Sequence, residues 1–399
     1  MSANLTFSDV DSEIQSRMRG SEPSSSLRLQ EINTAMQDLY AEFDIDSSKR
    51  EVSLNVIADG NSISLASLVD DFKHPSDLRY LDQSLQTQEF AFINDDTFVT
   101  HRGSNRNIDE YTTSYRDGAL SMKVLTQKEL IQTTVNGMTS LTDDGTWAVS
   151  ATSDAVNLEA NTVGALGQGS DLMFDVDVSN SVNNYAKIEN STLTAKDLSD
   201  YVNEGVFRFW IYIPSKTNFT SVQLIWGSSN AVYFSATATT QSDGSALIDG
   251  WNFISINWAD ATETGTVDTE NIDYLGVQLN YAAAYTDQSN VKVEALELYL
   301  PVPMRLVYYT YYTASSTAGV LQENLTTTTT DELLVPKRFK TLVALGAMKY
   351  LIGMSFGDDG EIQLRRVEKE YEVEALKLGL DIGNRVKTPV RKVKIRKPW

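Results

Sequence analysis

Hydrophobic residues recur at helical spacing near both ends of the chain and at strand spacing between them. Apolar positions between Leu27 and Phe43 are three or four residues apart, which predicts one amphipathic helix. Ser8 suits the N-cap of a shorter helix before it, ending near Gly20. The N-terminal end is therefore predicted to be helical.

Shorter runs follow, and they are typical of strands. Residues 51–57, 89–99, 108–115 and 120–126 carry β-branched and aromatic residues, and Asp95-Asp96 is interpreted as a hairpin turn within the second run. Residues 305–313, which include four tyrosines, predict a further strand that pairs with these earlier ones. The chain would then leave this small sheet and return to it.

Two helices are predicted near the C-terminus. Pro336 suits a first helical position, and the apolar residues that follow it repeat at helical spacing as far as Leu351. The polar loop Gly357–Gly360 ends this helix, and a second one begins with Leu364. A short polar loop between two amphipathic helices predicts a helical hairpin.

The central part of the chain shows strict alternation. Leu172, Phe174 and Val176 alternate with polar residues, and Phe207, Phe209, Ile211 and Ile213 form one apolar strand face. Five further runs between residues 222 and 300 bring the strands to seven or eight, which indicates a β-sandwich. Within 291–300 the apolar frame shifts, and this predicts a bulge near Glu294.

Charge separates this centre from its flanks. The chain of 399 residues has 33 basic and 54 acidic residues, a net charge of −21, and residues 141–303 alone carry −16 together with five of the six tryptophans. A chain of this length exceeds one hydrophobic core. We therefore predict four parts: an N-terminal helical and β part (1–140), an inserted β-sandwich (141–303), a strand and helical hairpin that complete the flanking scaffold (304–384), and a basic arm (385–399).

Composition excludes several kinds of chemistry. The chain has no cysteine and only two histidines, so thiolate and multi-histidine metal sites are excluded. No phosphate-binding loop, dinucleotide fingerprint, zinc-protease motif or nucleophile elbow is present. Carboxylate pairs occur by chance among 54 acidic residues, so no catalytic residue is nominated and no enzyme is predicted. Acidic residues at the N-terminus argue against a signal peptide, and residues 342–354 are too short to span a bilayer.

The central segment resembles the galactose-binding-like jelly rolls. The resemblance is carried by Gly250–Ile254, Trp258, Thr262–Gly265, Ile272–Tyr274 and Phe207–Pro214. This family includes many carbohydrate-binding modules, so the resemblance implies glycan contacts from exposed aromatic residues. The alternative is that the aromatic residues fill the core, which we favour for Phe207, Phe209 and Trp258. The candidates for glycan contact are Tyr185, Tyr212, Trp226 and Tyr233.

The same resemblance implies a structural calcium ion, because members of the family often hold one. Asp171, Asp175 and Asp177 would supply hard oxygen ligands from one strand face. A merely solvated face is the alternative, and it is favoured. No other cofactor is predicted.

The flanking parts resemble head–tail connector, or neck adaptor, proteins of tailed bacteriophages. The resemblance is carried by the helix Leu27–Phe43, by Leu333–Phe339 leading into Leu342–Leu351, and by the charged helix as far as Tyr371. It implies a homo-oligomeric ring, taken as dodecameric, that binds the portal protein and downstream tail proteins. Genome DNA would pass through the lumen without sequence-specific binding. The location would be the virion neck or tail, after assembly in the host bacterial cytoplasm, with no membrane partner.

The last fifteen residues carry seven basic side chains and no acidic one. Valine and isoleucine alternate with these residues, which predicts an arm that docks on a neighbouring subunit by adding a strand. A solvated tail and a contact with DNA phosphate are the alternatives. The residues of the arm are Arg385, Lys387, Arg391, Lys392, Lys394, Arg396, Lys397 and Trp399.

Together these features predict an α+β multidomain fold, in which a helical connector scaffold with a small β-sheet is interrupted by a β-sandwich, or jelly-roll, insertion. The predicted function is that of a structural virion protein, a neck adaptor between portal and tail whose sandwich decorates the particle and binds glycans. The alternative is a carbohydrate-binding or host-adhesion protein of the tail or baseplate.

Overall fold

The protein is described by a computed structural model. The described residues are 4–18, 23–65, 71–81, 89–103, 109–116, 119–126, 130–165, 170–180, 183–316, 318–326, 331–355 and 358–385. They divide into two compact units. Unit 1 comprises residues 1–52, 70–77 and 306–399, and unit 2 comprises residues 53–69 and 78–305.

Unit 2 contains a β-sandwich of two antiparallel sheets. The strands of the front sheet are β9 (Trp147–Val149), β12 (Tyr185–Asn190), β14 (Phe219–Ser229), β15 (Val232–Ala238), β17 (Thr262–Thr264) and β18 (Tyr274–Tyr281). The strands of the back sheet are β8 (Gln132–Asn136), β10 (Ala155–Asn161), β11 (Asp171–Val176), β13 (Val206–Ile213), β16 (Gly250–Asn257), β19 (Gln288–Val293) and β20 (Leu296–Tyr299). The front sheet has the strand order β17–β15–β14–β18–β12–β9, and the back sheet has the order β10–β11–β19–β13–β20–β8 with β16 also paired to β13.

The alternating pattern of the sequence builds the core of this sandwich. The faces predicted to be apolar, such as Phe207, Phe209, Ile211 and Ile213 on β13, are buried between the two sheets. The bulge predicted near Glu294 falls where one strand ends and the next begins. The chain forms β19 before this residue and β20 after it, and both strands pair with β13. The prediction of a β-sandwich is confirmed.

A second sheet in unit 2 has the order β3–β7–β6–β5. Its strands are β3 (Asp59–Ser64), β5 (Ala91–Phe92), β6 (Glu110–Arg116) and β7 (Ala119–Leu125). The predicted hairpin at Asp95-Asp96 is wrong, since the helix α3 (Asp95–Gly103) begins there. The side chain of Asn94 accepts a hydrogen bond from the backbone N–H of Thr97 at 2.7 Å, and acidic residues in a first helical turn are favourable.

Unit 1 packs four helices with a four-stranded sheet in the order β1–β24–β22–β23. The helices are α1 (Phe7–Arg17), α2 (Ser25–Glu42), α4 (Lys340–Ser355) and α5 (Asp358–Arg385), and the strands are β1 (Asn4–Thr6), β22 (Ala314–Ser315), β23 (Leu321–Gln322) and β24 (Glu332–Pro336). Gly346 of α4 lies against Ala35 of α2, and a Cβ atom at this glycine would be 2.9 Å from the alanine Cβ. The two helices are therefore in close contact, and their apolar faces fill the core of the unit.

A three-stranded sheet, in the order β2–β21–β4, consists of β2 (Lys49–Val56), β21 (Val302–Thr310) and β4 (Phe72–Tyr80). As predicted, the strand that follows the sandwich pairs with strands from the earlier part of the chain. The compact division places residues 53–69 and 78–140 in the same unit as the sandwich. The four parts predicted from the sequence stay a prediction.

The predicted fold class, a helical connector scaffold with one small sheet interrupted by a sandwich, is wrong. Strand residues outnumber helical residues in the described part of the chain, and these strands form five sheets. The chain is mainly a β protein that contains a sandwich. Within the described ranges, no helix is both long enough and apolar enough to cross a membrane.

Candidate functional site

The four residues predicted to contact glycans lie in three different places. Trp226 is completely buried in the sandwich core, with its ring centroid 4.6 Å from that of Phe207 and 5.3 Å from that of Trp258. Its assignment as a surface contact is therefore wrong. Trp226 lies in the same inward-facing frame of β14 as Leu224 and Val222, at every second residue. The core interpretation of Phe207, Phe209 and Trp258 is confirmed, because each is at most 2% exposed.

Tyr212 lies on the outer face of the back sheet. Its ring contacts Trp251 edge-on at 5.4 Å, and the ammonium group of Lys292 lies 5.8 Å from its centroid. Tyr185 and Tyr233 lie instead on the outer face of the front sheet, on β12 and β15. The structure thus brings together two of the four predicted residues and separates them from Tyr212.

The outer face of the front sheet carries tyrosine rings and polar side chains that the sequence analysis did not single out. We call this surface the tyrosine face. It is formed by Tyr185, Lys187, Glu189, Gln223, Gly227, Tyr233, Tyr274, Gly276, Gln278 and Asn280. Each of these residues alternates along its strand with a buried apolar or small residue, so the sheet itself fixes their common direction.

A glycine separates two tyrosines on this face. In the strand register Tyr274 of β18 is opposite Gly227 of β14, and Gly227 is opposite Tyr233 of β15. Neighbouring strands are about 4.8 Å apart, so the two tyrosine backbones lie roughly 10 Å apart with no side chain between them. Gly276 has the same position between Glu189 and Ile225. Both glycines are buried and Tyr274 is 2% exposed, so the half-exposed ring of Tyr233 is the aromatic surface presented beside them.

A charged network surrounds the buried Tyr274 hydroxyl at this face. The Lys187 ammonium group donates a hydrogen bond of 2.6 Å to the Tyr274 hydroxyl, which donates one of 2.7 Å to Glu189 Oε2. Lys187 also pairs with Glu189 at 2.8 Å. Burial works to raise the pKa of Glu189, but hydrogen bonds from Lys187 and Tyr274 outweigh it and hold the pKa below its usual value. Burial and the adjacent Glu189 carboxylate raise the pKa of Tyr274, so its hydroxyl stays protonated.

Side-chain amides form a second network on the tyrosine face. Gln278 Nε2 donates to Gln223 Oε1 at 3.0 Å and to Asn280 Oδ1 at 2.7 Å. Asn280 in turn donates to the Ser221 hydroxyl at 3.1 Å. These half-buried amides are oriented by one another, and each amide retains further donor or acceptor capacity. The face therefore presents ordered hydrogen-bonding groups next to aromatic rings.

Substitution of Gly227 by alanine is expected to destabilise the protein by about 1–3 kcal/mol, the usual cost of overpacking. The added Cβ would lie 2.4 Å from the Val232 carbonyl oxygen and 2.5 Å from the Tyr233 Cα, so β14 and β15 would have to separate. Urea unfolding measures this cost. Gly276→Ala is the matched control, because its nearest neighbour is the end of the flexible Lys187 side chain, at 3.1 Å. An equal cost for both variants would contradict the predicted crowding at Gly227.

The outer face of the back sheet is less open, because the sheet that contains β3 covers part of it. Arg208 is 2% exposed and donates a hydrogen bond of 2.6 Å to the Asp59 carboxylate. Ser242 donates to the Ser62 carbonyl at 2.8 Å. A depression of about 440 Å³ lies elsewhere on the back sheet, beside Met173 and Asp175, and neither Tyr212 nor the tyrosine face contributes to it.

The three aspartates considered for calcium do not converge. Asp175 accepts hydrogen bonds from Asn157 and from the backbone of Asn290, and Asp177 accepts them from Ser179. Asp171 is fully buried, and burial raises the pKa of its carboxyl group. Among the described residues, no group of three or more acidic or histidine side chains is arranged to hold a metal ion. The favoured alternative, a polar strand face, accounts for Asp175 and Asp177.

The predicted basic arm begins at the end of α5, since Arg385 is the last residue of that helix. Residues 386–399 lie outside the described residues. The predicted docking of the arm on a neighbouring subunit stays a prediction.

No protein-family model matches the sequence, and no curated protein sequence matches it. Solved structures that are similar include a family 30 carbohydrate-binding module, at 14% identity and a TM-score of 0.32, covering 43% of this chain and 89% of that one. The family 30 module of a cellulosomal cellulase of Clostridium thermocellum is 12% identical with a TM-score of 0.29, covering 44% and 97% of the two chains. An exo-β-agarase is 10% identical with a TM-score of 0.25, covering 42% and 24%.

Proposed function

We propose that this protein binds carbohydrate through the tyrosine face and that binding, rather than catalysis, is the role of the sandwich. The observation that carries the proposal is that the half-exposed rings of Tyr185 and Tyr233 share one sheet face with ordered side-chain amides, those of Gln223, Gln278 and Asn280. A sugar ring presents an apolar face of C–H groups and a rim of hydroxyl groups. Tyrosine rings can stack on the first, while oriented amide and charged groups bind the second.

The open shape of the face favours internal segments of a glycan chain over chain ends. The tyrosine face is the outer side of a sheet, and its half-exposed groups lie on several strands, so an extended polymer can lie across it. The charge of −16 on residues 141–303 would repel sulfated or uronic-acid polymers. We therefore propose a neutral polysaccharide as the ligand.

Carbohydrate binding fits a host-adhesion role better than a role in the interior of a particle, because a glycan-binding surface must reach its ligand. The predicted place in a virion, the ring of subunits, and the portal and tail partners stay predictions, and the proposed binding does not depend on them.

Alanine substitution of Tyr185 or Tyr233 is expected to weaken glycan binding at least tenfold, because each change removes a half-exposed stacking surface. The full chain would be screened on an array of neutral and acidic glycans, and affinities for the bound glycans would be measured by calorimetry. Tyr274→Phe keeps the buried ring but loses the hydroxyl that connects Lys187 to Glu189. It should therefore weaken binding less than either alanine variant.

Tyr212→Ala is the matched control, since Tyr212 lies on the opposite sheet. Its affinity should equal that of the wild type. Binding that is lost with Tyr212→Ala and kept with Tyr233→Ala would place the ligand on the back sheet and overturn the assignment. Failure to bind any neutral glycan would overturn the proposed function.

A further inference from the structure

The outward face of α5 carries exposed apolar side chains that are not part of the core cluster of unit 1. Ile362 is 74% exposed, Val373 49%, Leu376 61% and Leu380 66%. The opposite face of the helix, which includes Val367 and Leu378, is buried in the core of unit 1. An α-helix turns by 100° per residue, so the four exposed residues lie within about 60° of one another, along about 27 Å of helix. Val373, Leu376 and Leu380 are on adjacent turns and form a stripe, and Lys369 lies in the same row between them and Ile362.

The charged residues nearest to the centre line of this stripe are basic. By the same helical geometry, the basic residues lie within about 60° of its centre line, whereas the acidic residues from 361 to 382 lie about 80° or more away. The basic residues beside the stripe are Arg365, Arg366, Lys369 and Lys377. Three of them form ion pairs only one turn away along α5 itself, with side chains 60% or more exposed. Such pairs are weak and are readily exchanged for a better partner.

We propose that α5 docks an acidic amphipathic helix of a partner protein along this stripe. Apolar residues of the partner would cover the exposed leucine, isoleucine and valine, and its carboxylates would pair with the flanking arginines and lysines. A second copy of α5 fits less well, because the same face would meet itself and bring basic residues such as Arg365 and Lys377 towards each other. An anionic membrane fits less well too, because the chain carries a net charge of −21.

The probe is a synthetic 21-residue peptide with leucine at helical spacing and flanking glutamates, and the comparison peptide replaces every glutamate with lysine. Binding of each labelled peptide to the full chain would be followed by fluorescence anisotropy at physiological ionic strength, where charges further than about 8 Å away are largely screened. We expect the acidic peptide to bind at least tenfold more tightly than the basic one. Equal binding of both peptides would overturn the proposal.

Two variants and one control locate the site. Leu376→Glu combined with Leu380→Glu should weaken binding of the acidic peptide at least tenfold, whereas Val320→Glu, at a residue 62% exposed elsewhere in unit 1, should leave it unchanged. Reversing Arg365, Arg366 and Lys369 to glutamate should invert the preference towards the basic peptide. All these side chains are exposed, so circular dichroism should show an unchanged fold.

Two further measurements separate the other occupants. Native mass spectrometry of the chain alone should show no self-association that depends on Leu376 and Leu380. A dimer lost in that variant would overturn the proposal in favour of a second copy. Co-sedimentation with phosphatidylserine vesicles that depends on the same two leucines would overturn it in favour of a membrane surface.

Discussion

Replacing Arg208 with methionine is expected to lower the free energy of unfolding of unit 2 by about 3–5 kcal/mol, the usual cost of removing one partner of a buried ion pair. Arg208 is 2% exposed, and its guanidinium group pairs with Asp59 at 2.6 Å, while the Asp59 side chain is 12% exposed. The guanidinium also lies 5.2 Å from the Phe253 ring centroid and 6.0 Å from that of Tyr299. Methionine retains the packing of the aliphatic stem, so the loss reports the charge and its hydrogen bonds.

Urea unfolding followed by tryptophan fluorescence measures this effect, since five of the six tryptophans lie in the sandwich segment. The decisive variant combines Arg208→Met with Asp59→Asn. It should recover part of the loss, because no unpaired carboxylate is then buried. Arg208→Lys should be intermediate, because it keeps the charge but not the planar fork of donors. A single Arg208→Met variant within 1 kcal/mol of the wild type would show that the pair contributes little.

The sandwich could be predicted because its physical cause is visible in the sequence. One side of each sheet is buried, so side chains must alternate, and Phe207, Phe209 and Ile211 do so along β13. The shift of this frame near Glu294 marked the break between two strands for the same reason. These features depend only on residues that are neighbours in the sequence.

The fold class could not be predicted in the same way, because it depends on pairing between distant segments. Strand β1 pairs with β24, more than 300 residues later, and nothing in either short segment indicates the other. The interpretation of Asp95-Asp96 as a turn failed for a local reason. Both residues favour turns and first helical turns alike, and the hydrogen bond to the Asn94 side chain decides for the helix.

The tyrosine face was only partly predictable. Tyr185 and Tyr233 were candidates, but Lys187, Glu189 and the buried Tyr274 between them were not recognised. The position of Gly227 between two tyrosines could not be read from the sequence, because it requires the register of three strands. Trp226 shows the opposite error, since its place in the same frame as Val222 and Leu224 already indicates the core.

Trp226→Ala is expected to destabilise unit 2 by about 3–5 kcal/mol, as usual for truncation of a large buried aromatic residue. Trp226 is 0% exposed and contacts the rings of Phe207, Phe234 and Trp258 at centroid distances of 4.6, 5.8 and 5.3 Å. Its removal would leave a cavity at the centre of this aromatic cluster. Urea unfolding measures the loss.

Trp226→Phe is the informative comparison, because the indole N–H makes no hydrogen bond to any described residue. Phenylalanine keeps an aromatic ring in the cluster and removes an unsatisfied buried donor, so its cost should be well below that of alanine. If Trp226 acts only in the core, the folded fraction of both variants should bind the glycan with wild-type affinity. A folded Trp226→Phe protein that loses glycan affinity while Tyr233→Ala keeps it would instead mean that the ligand reaches the interior of the sandwich, which the complete burial of Trp226 argues against.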